Sequence, residues 1–343
     1  DYTRTQIDTL RTVTDFETPG GGDPLPADFA NLTGTGQRTA YATDTTLILG
    51  RDGPMGLQLD LGTSGVTYSD TADADLTDIR RTRVAGAGRL QFSPKLTGNL
   101  GAGVEAINED DTTRTTRTIR GVDASLTYLA SPRATLDTHF GYVWNRTEET
   151  TGITDANGVT GRLSLGYDMP NGVAGAVLDA RRNDGGDRIL SFELSRSLSL
   201  PAGRLSASIG VTQTEDTDVS PIGSLEWVQP LPTGRIAARV DRSAGIDADD
   251  DLRLTTVVGV NYSYDINPVS SIGLGLSYAA SESITTASSV AQTSQTATYS
   301  HALTTDWGFN ATVGYTLRDE TEVDQATSPQ ISATIRRTFR TSR

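Results

Sequence analysis

The sequence predicts an all-β chain, a single antiparallel transmembrane β-barrel of about eighteen strands. Three observations carry that prediction. The stretch from Trp307 to Leu317 places an apolar or aromatic residue at every odd position and a small or polar one at every even position. A strand points successive side chains to opposite faces, so this segment has one apolar and one polar face, over the length a tilted strand needs to cross a bilayer. Second, segments of this kind recur along the chain, joined alternately by short Pro- or Gly-built turns and by longer acidic loops. Third, the hydrophobic fraction is only 36% and the mean hydropathy is −0.33. No apolar run approaches the ~20 residues of a membrane helix. A barrel with a wet interior needs one apolar face only, so low hydropathy fits it and argues against a large dry core.

The elements follow in order. Residues 5–16 form a first segment with weak alternation, and 18–36 a long Gly- and Pro-rich loop. Tyr41–Leu49 is strand-like and ends at Arg51-Asp52-Gly53-Pro54, a turn sequence. Leu57, Leu59 and Leu61 return. Val84, Leu90 and Phe92 share a face up to Ser93-Pro94-Lys95, and Leu96, Leu100 and Val104 come back. Val122, Leu126 and Tyr128 lead to Ser131-Pro132; Leu136, Phe140, Tyr142 and Trp144 return. Leu163, Leu165 and Tyr167 reach Pro170-Asn171-Gly172. Further alternating segments run through Phe192, Ile209, Trp227, Ile236, Val260, Leu274, Tyr299 and the 307–317 stretch, and Ile331–Phe339 closes the series. The longer acidic connections are expected at 70–78, 108–113, 148–157, 214–218, 241–251 and 319–324. An even number of strands puts both termini on one side. The whole of residues 1–343 reads as one barrel domain, with no segment that looks like a plug.

Alternating strands, two kinds of connection and a terminal aromatic strand resemble the bacterial outer-membrane β-barrels, either porin-like or associated with exopolysaccharide export. The resemblance covers nearly the whole chain and rests on architecture. It implies short periplasmic turns, extracellular acidic loops, residence in the outer membrane after removal of an export signal, and contact with outer-membrane lipid and lipopolysaccharide. Such barrels often end on the final aromatic; here Arg340-Thr341-Ser342-Arg343 trails Phe339.

Alternation assigns charges to the inside: Arg81, Arg83, Arg89, Arg117, Arg162, Arg204, Arg235, Arg239, Arg253 and Arg336, with Asp60, Glu105, Asp123, Asp137, Asp168, Glu193 and Glu226. Either these select solutes by field and size in a water-filled lumen, or they pair across strands and brace the wall. Arg196 alternates towards lipid, where a mid-strand arginine costs ~2–4 kcal/mol. A bulge that turns it away is therefore expected. Asp247, Asp249, Asp250 and Asp251 are dense enough for a hard divalent cation. They lack the Gly and distant Glu of a calcium loop, so a solvated loop facing the outer leaflet is the competing reading.

Several functions are excluded. The chain has no Cys, which removes thiolate metal sites and catalytic thiols and fits an oxidising compartment. A net charge of −14 disfavours nucleic acid. His139 alternates inward and His301 outward, so no Ser–His hydrolase site is expected. The Gly-x-Gly runs lie mid-strand without a following helix and are not phosphate loops. The expected function is a channel for polar solutes or saccharides, without a cofactor and not an enzyme. The alternatives are an outer-membrane component of polysaccharide export, with an export-complex partner, and a non-conducting surface scaffold or adhesion barrel; a homo-oligomer is open in each. A soluble β-sandwich is the third class.

Overall fold

The computed structural model describes residues 2–8, 35–51, 53–71, 76–183, 186–214, 218–246, 252–284, 288–321 and 323–338. Within them lie eighteen strands of one sheet. They are β1 (Tyr2–Asp8), β2 (Thr35–Leu49), β3 (Met55–Ser69), β4 (Ile79–Ser93), β5 (Leu96–Glu109) and β6 (Thr116–Ser131). Next come β7 (Ala134–Glu149), β8 (Gly152–Met169), β9 (Gly172–Arg182), β10 (Arg188–Leu200), β11 (Gly203–Thr214) and β12 (Ser220–Leu231). The last are β13 (Gly234–Ile246), β14 (Leu252–Asn267), β15 (Ser270–Ser283), β16 (Ser289–Ala302), β17 (Trp307–Glu320) and β18 (Val323–Arg337). They form two compact units. One is built on β2–β9 with most of β10, the other on β13–β18 with most of β12.

Both units obey the same rule. In the first, Leu59 of β3 lies opposite Leu47 and Gly86, while its neighbour Asp60 lies opposite Thr46 and Ala85. In the second, Val313 of β17 lies opposite Ala297 and Ile331, while Thr312 lies opposite Thr298 and Ser332. Directly opposed residues share a face, so each ladder extends an apolar face on one side and a polar face on the other. The apolar face is exposed: Leu100 is 70%, Phe140 64% and Ile331 85% accessible. That face needs an apolar solvent. Aromatics mark its margins. In the first unit Tyr128 and Tyr167 sit near the short turns, and Tyr142 packs 4.8 Å from Trp144 towards the loops. In the second unit Arg337 stacks over Trp307 at 5.3 Å beside the turn side.

Large side chains cover glycines on the apolar face. A Cβ on Gly98 would stand 2.8 Å from the Phe92 ring, and one on Gly86 3.2 Å from Leu59. The small positions accept the neighbour's bulk, which keeps the outer surface filled. Register shifts fall beside strand ends, between Gln91 and Ser93, Leu129 and Ser131, Asp265 and Asn267, and Arg318 and Glu320.

Several expectations change. The first strand is β1, Tyr2–Asp8, paired with residues 35–41 of β2; the rest of the predicted 5–16 segment, the 18–34 loop and Phe339 to Arg343 lie outside the described residues. The connection expected at 148–157 is a hairpin, because β7 and β8 continue to Glu149 and Gly152 and leave two residues between them. Trp144 to Glu149 pair with Gly152 to Asn157, so the backbone finds ladder partners where the acidic composition suggested a loop. The 319–324 connection likewise shrinks to two residues. β13 runs to Ile246, well into the expected 241–251 loop. At Arg196 there is no bulge: the β9–β10 ladder is continuous from Arg188–Arg182 to Arg196–Ala174. Arg196 does face outward, but it stands beside the 170–171 turn and donates to Asn171 Oδ1 at 2.5 Å. A guanidinium held at the turn end reaches the polar margin, so the mid-strand cost does not arise.

The polar face of the strands as candidate functional site

The polar face is built row by row from the registers. In the first unit β4 and β5 set Arg83 opposite Glu105, and Arg81 reaches the same carboxylate at 3.5 Å. Asp60 accepts from Thr46 Oγ1 at 2.7 Å and from Gln58 Nε2, with Arg83 nearby. Gly62 lies opposite both Asp44 and Arg83, so no side chain separates acid from base. Asp123 overhangs Gly101 and lies 3.9 Å from His139 Nδ1. Arg162 reaches Asp179 of β9 at 3.6 Å. Asp137 accepts from Thr127 Oγ1 at 2.7 Å, Glu193 faces Val177, and Asp168 faces Val173. Arg89 donates to the Gly53 carbonyl of the β2–β3 turn.

In the second unit Arg204 and Glu226 are 2.6 Å apart and Arg239 lies opposite Glu226. Arg235 lies opposite Pro230 and Ser263, and Arg336 opposite Gly308. A cavity of 380 Å³ opens over this wall, lined by Ser206, Glu226, Arg235, Arg239, Asp241 and Asn261 among others. From β15 to β18 the character changes. The polar face there carries Gly273, Gly275 and Ser277, then Thr296 and Thr298, then Thr312 and Gly314, then Gln330 and Ser332. The middle of the wall thus has a charged part and a neutral hydroxyl part, with Arg336 and Arg318 standing towards opposite ends of the latter.

Exposure varies along the strands. Towards the turns the charges are open: Arg204 is 62% and Glu226 47% accessible. Towards the loops the polar face is buried. In the first unit Ile107, Arg117 and Asn145 are 0%, 6% and 3% accessible; in the second Gln292, Thr316 and Arg318 are 1%, 1% and 4%. Arg117 pairs with Glu109, and Arg253 donates to Ser288. These two predicted arginines therefore lie on the expected face but out of water.

Asp179, Asp44 and Gln292 were missed by sequence reasoning. Asp179 lies on β9, where Val173 and Val177 stand on the polar face and break the alternation. The loop after β5 is held by Asp111, which accepts from Thr113 Oγ1, Thr115 Oγ1 and the Thr115 N–H at 2.7–2.8 Å. Burial works to raise its pKa. Those hydrogen bonds, with one from the Arg114 N–H, outweigh burial and hold the carboxyl below its ordinary value. Asp247, Asp249, Asp250 and Asp251 lie outside the described residues. Among those described, no group of three His, Asp or Glu is placed to hold a metal. His301 faces outward as expected, and its Nδ1 meets Ser270 Oγ at 2.7 Å, a pairing the alternation did not reveal.

The alternating faces and hairpin ladders recur in solved structures. The FrpB iron transporter from Neisseria meningitidis aligns with 98% of this chain at a TM-score of 0.66 and 10% identity. The fold is that of a bacterial outer-membrane β-barrel. The ferric-catecholate import receptor Fiu from E. coli K12 aligns with 82% of the chain at a TM-score of 0.55 and 10% identity. The siderophore receptor PirA from Pseudomonas aeruginosa aligns with 88% at a TM-score of 0.51 and 11% identity. The chain spans 58% of the length of Fiu and 68% of the lengths of FrpB and PirA. No protein-family model matches the sequence, and comparison with curated proteins gave no match.

Proposed function

We propose that the chain forms an outer-membrane conduit passing polar solutes or saccharides along its polar face. The observation that carries this reading is the open Arg204–Glu226–Arg239 row. Ion pairs left half-exposed on the polar face of strands whose other face is apolar require water on that side. Arg81, Arg83, Arg89, Arg162, Arg204, Arg235, Arg239, Arg336, Asp60, Glu105, Asp137, Glu193 and Glu226 then set the field that solutes meet. That three structurally similar proteins are named as an iron transporter and two receptors supports transport rather than catalysis.

The buried loop-side stretch and the paired charges favour a second reading, a non-conducting scaffold. Planar-bilayer recording separates the two. Stable open steps whose ion preference moves with Glu226 support the conduit. Correctly folded protein that inserts and stays silent at every voltage supports the scaffold.

A further inference from the structure

A groove runs over β16 on the apolar face. Its floor holds Gln295 and Ala297, its walls Leu274 and Leu276 of β15 and Val313 and Tyr315 of β17, and its volume is 570 Å³. The cause is visible in the sequence of β16. Its outward residues Thr293, Gln295 and Ala297 are small or polar, while the strands on both sides present Leu, Val and Tyr in the same rows. Gln295 stands in the row of Leu276 and Tyr315, one row inside Tyr278 and Leu317. Among the described residues no hydrogen bond reaches its side chain. An amide in hydrocarbon without a partner is unfavourable, because lipid tails offer neither donor nor acceptor.

We propose that a second copy of this chain covers the groove through a two-fold contact centred on Gln295. An acyl chain matches the walls but leaves the amide unpaired. A primary amide both donates and accepts. A two-fold axis beside Gln295 brings it against its own counterpart, and two reciprocal N–H to C=O hydrogen bonds satisfy both. Such a contact is isologous, so it closes at two copies. Ala297 and the adjoining Ala311 lower the surface and let two strand faces approach closely, the role small residues play at contacts within membranes.

The chain has no Cys, so single substitutions report cleanly. Wild-type protein, Ala297→Cys, which keeps Gln295, and Leu163→Cys, on the apolar face of β8, are reconstituted in phosphatidylcholine vesicles and mildly oxidised. A disulfide-linked dimer is expected for Ala297→Cys and not for Leu163→Cys. Gln295→Leu, labelled on a loop and followed by energy transfer, is expected to lower the dimerisation constant roughly 3- to 20-fold. Ala297→Trp fills the groove and is expected to leave monomers. Equal cross-linking at the two positions, a wild-type monomer at high protein-to-lipid ratio, or a dimerisation constant indifferent to Gln295→Leu overturns the proposal. So does a monomer that retains a lipid in the groove. Should a variant misfold, the cysteine pair still decides.

Discussion

Thr312 and Val313 are neighbours on β17, yet arginine should be tolerated at one and not at the other. Val313 is 56% exposed and is the third of five apolar-face positions from Phe309 to Leu317, which puts it at mid-depth. Arginine at the mid-plane of a barrel's lipid face costs about 2–4 kcal/mol. Thr312 faces the other way, towards Thr298 at 3.1 Å. Thr312→Arg gives up that hydroxyl contact, about 0.5–1.5 kcal/mol, and keeps its guanidinium in water. The two variants should therefore differ by about 0.5–3.5 kcal/mol, roughly 2- to 400-fold in the folding equilibrium. Denaturant unfolding in lipid vesicles, with Val313→Ala as reference, measures the difference. Equal losses, or a larger loss for Thr312→Arg, would refute the assignment of lipid to one face and water to the other.

Three further outcomes follow from the same geometry. Glu226→Lys converts the Arg204–Glu226–Arg239 row into three cations and should shift the reversal potential of an open conduit towards anion selectivity in a salt gradient. The Asp111 carboxyl has a lowered folded-state pKa, so its contribution is complete above the ordinary carboxylate value and is lost as pH falls through the folded value. Protection of the Thr115 amide against hydrogen exchange, corrected for intrinsic rate, should fade over that acid range, and Asp111→Asn should remove the transition. Gly50 has φ +68, and a Cβ there would lie 2.4 Å from the Met55 carbonyl oxygen. Gly50→Ala should cost about 1–3 kcal/mol in vesicle unfolding, whereas Gly152→Ala, with nothing within 4 Å of its Cβ, should be close to neutral.

The parity of the strands was readable because it needs only local order. Val84 and Leu90 alternate with polar neighbours whatever they pack against, and the ladder keeps them on one face. Parity failed at β9, where valines occupy the polar side, and at 148–157, where acidic residues occupy a regular hairpin. In both cases cross-strand hydrogen bonding satisfies the backbone regardless of side-chain polarity. The inward set of charges was readable for the same reason as the strands. Their partners were not: that Arg162 meets Asp179, or that Asp44 and Arg83 flank Gly62, depends on register between segments far apart in sequence.

Periodicity by itself determined that this chain has two-faced strands with lipid-compatible residues on one side, since side-chain direction alternates in any extended segment. Tertiary pairing decided which charges are open to water and which are buried towards the loops, because burial depends on what lies across the ladder. It also decided that the short outward residues of β16 stand between the bulk of β15 and β17. A groove is a difference in height between neighbouring strands, and no single strand contains it.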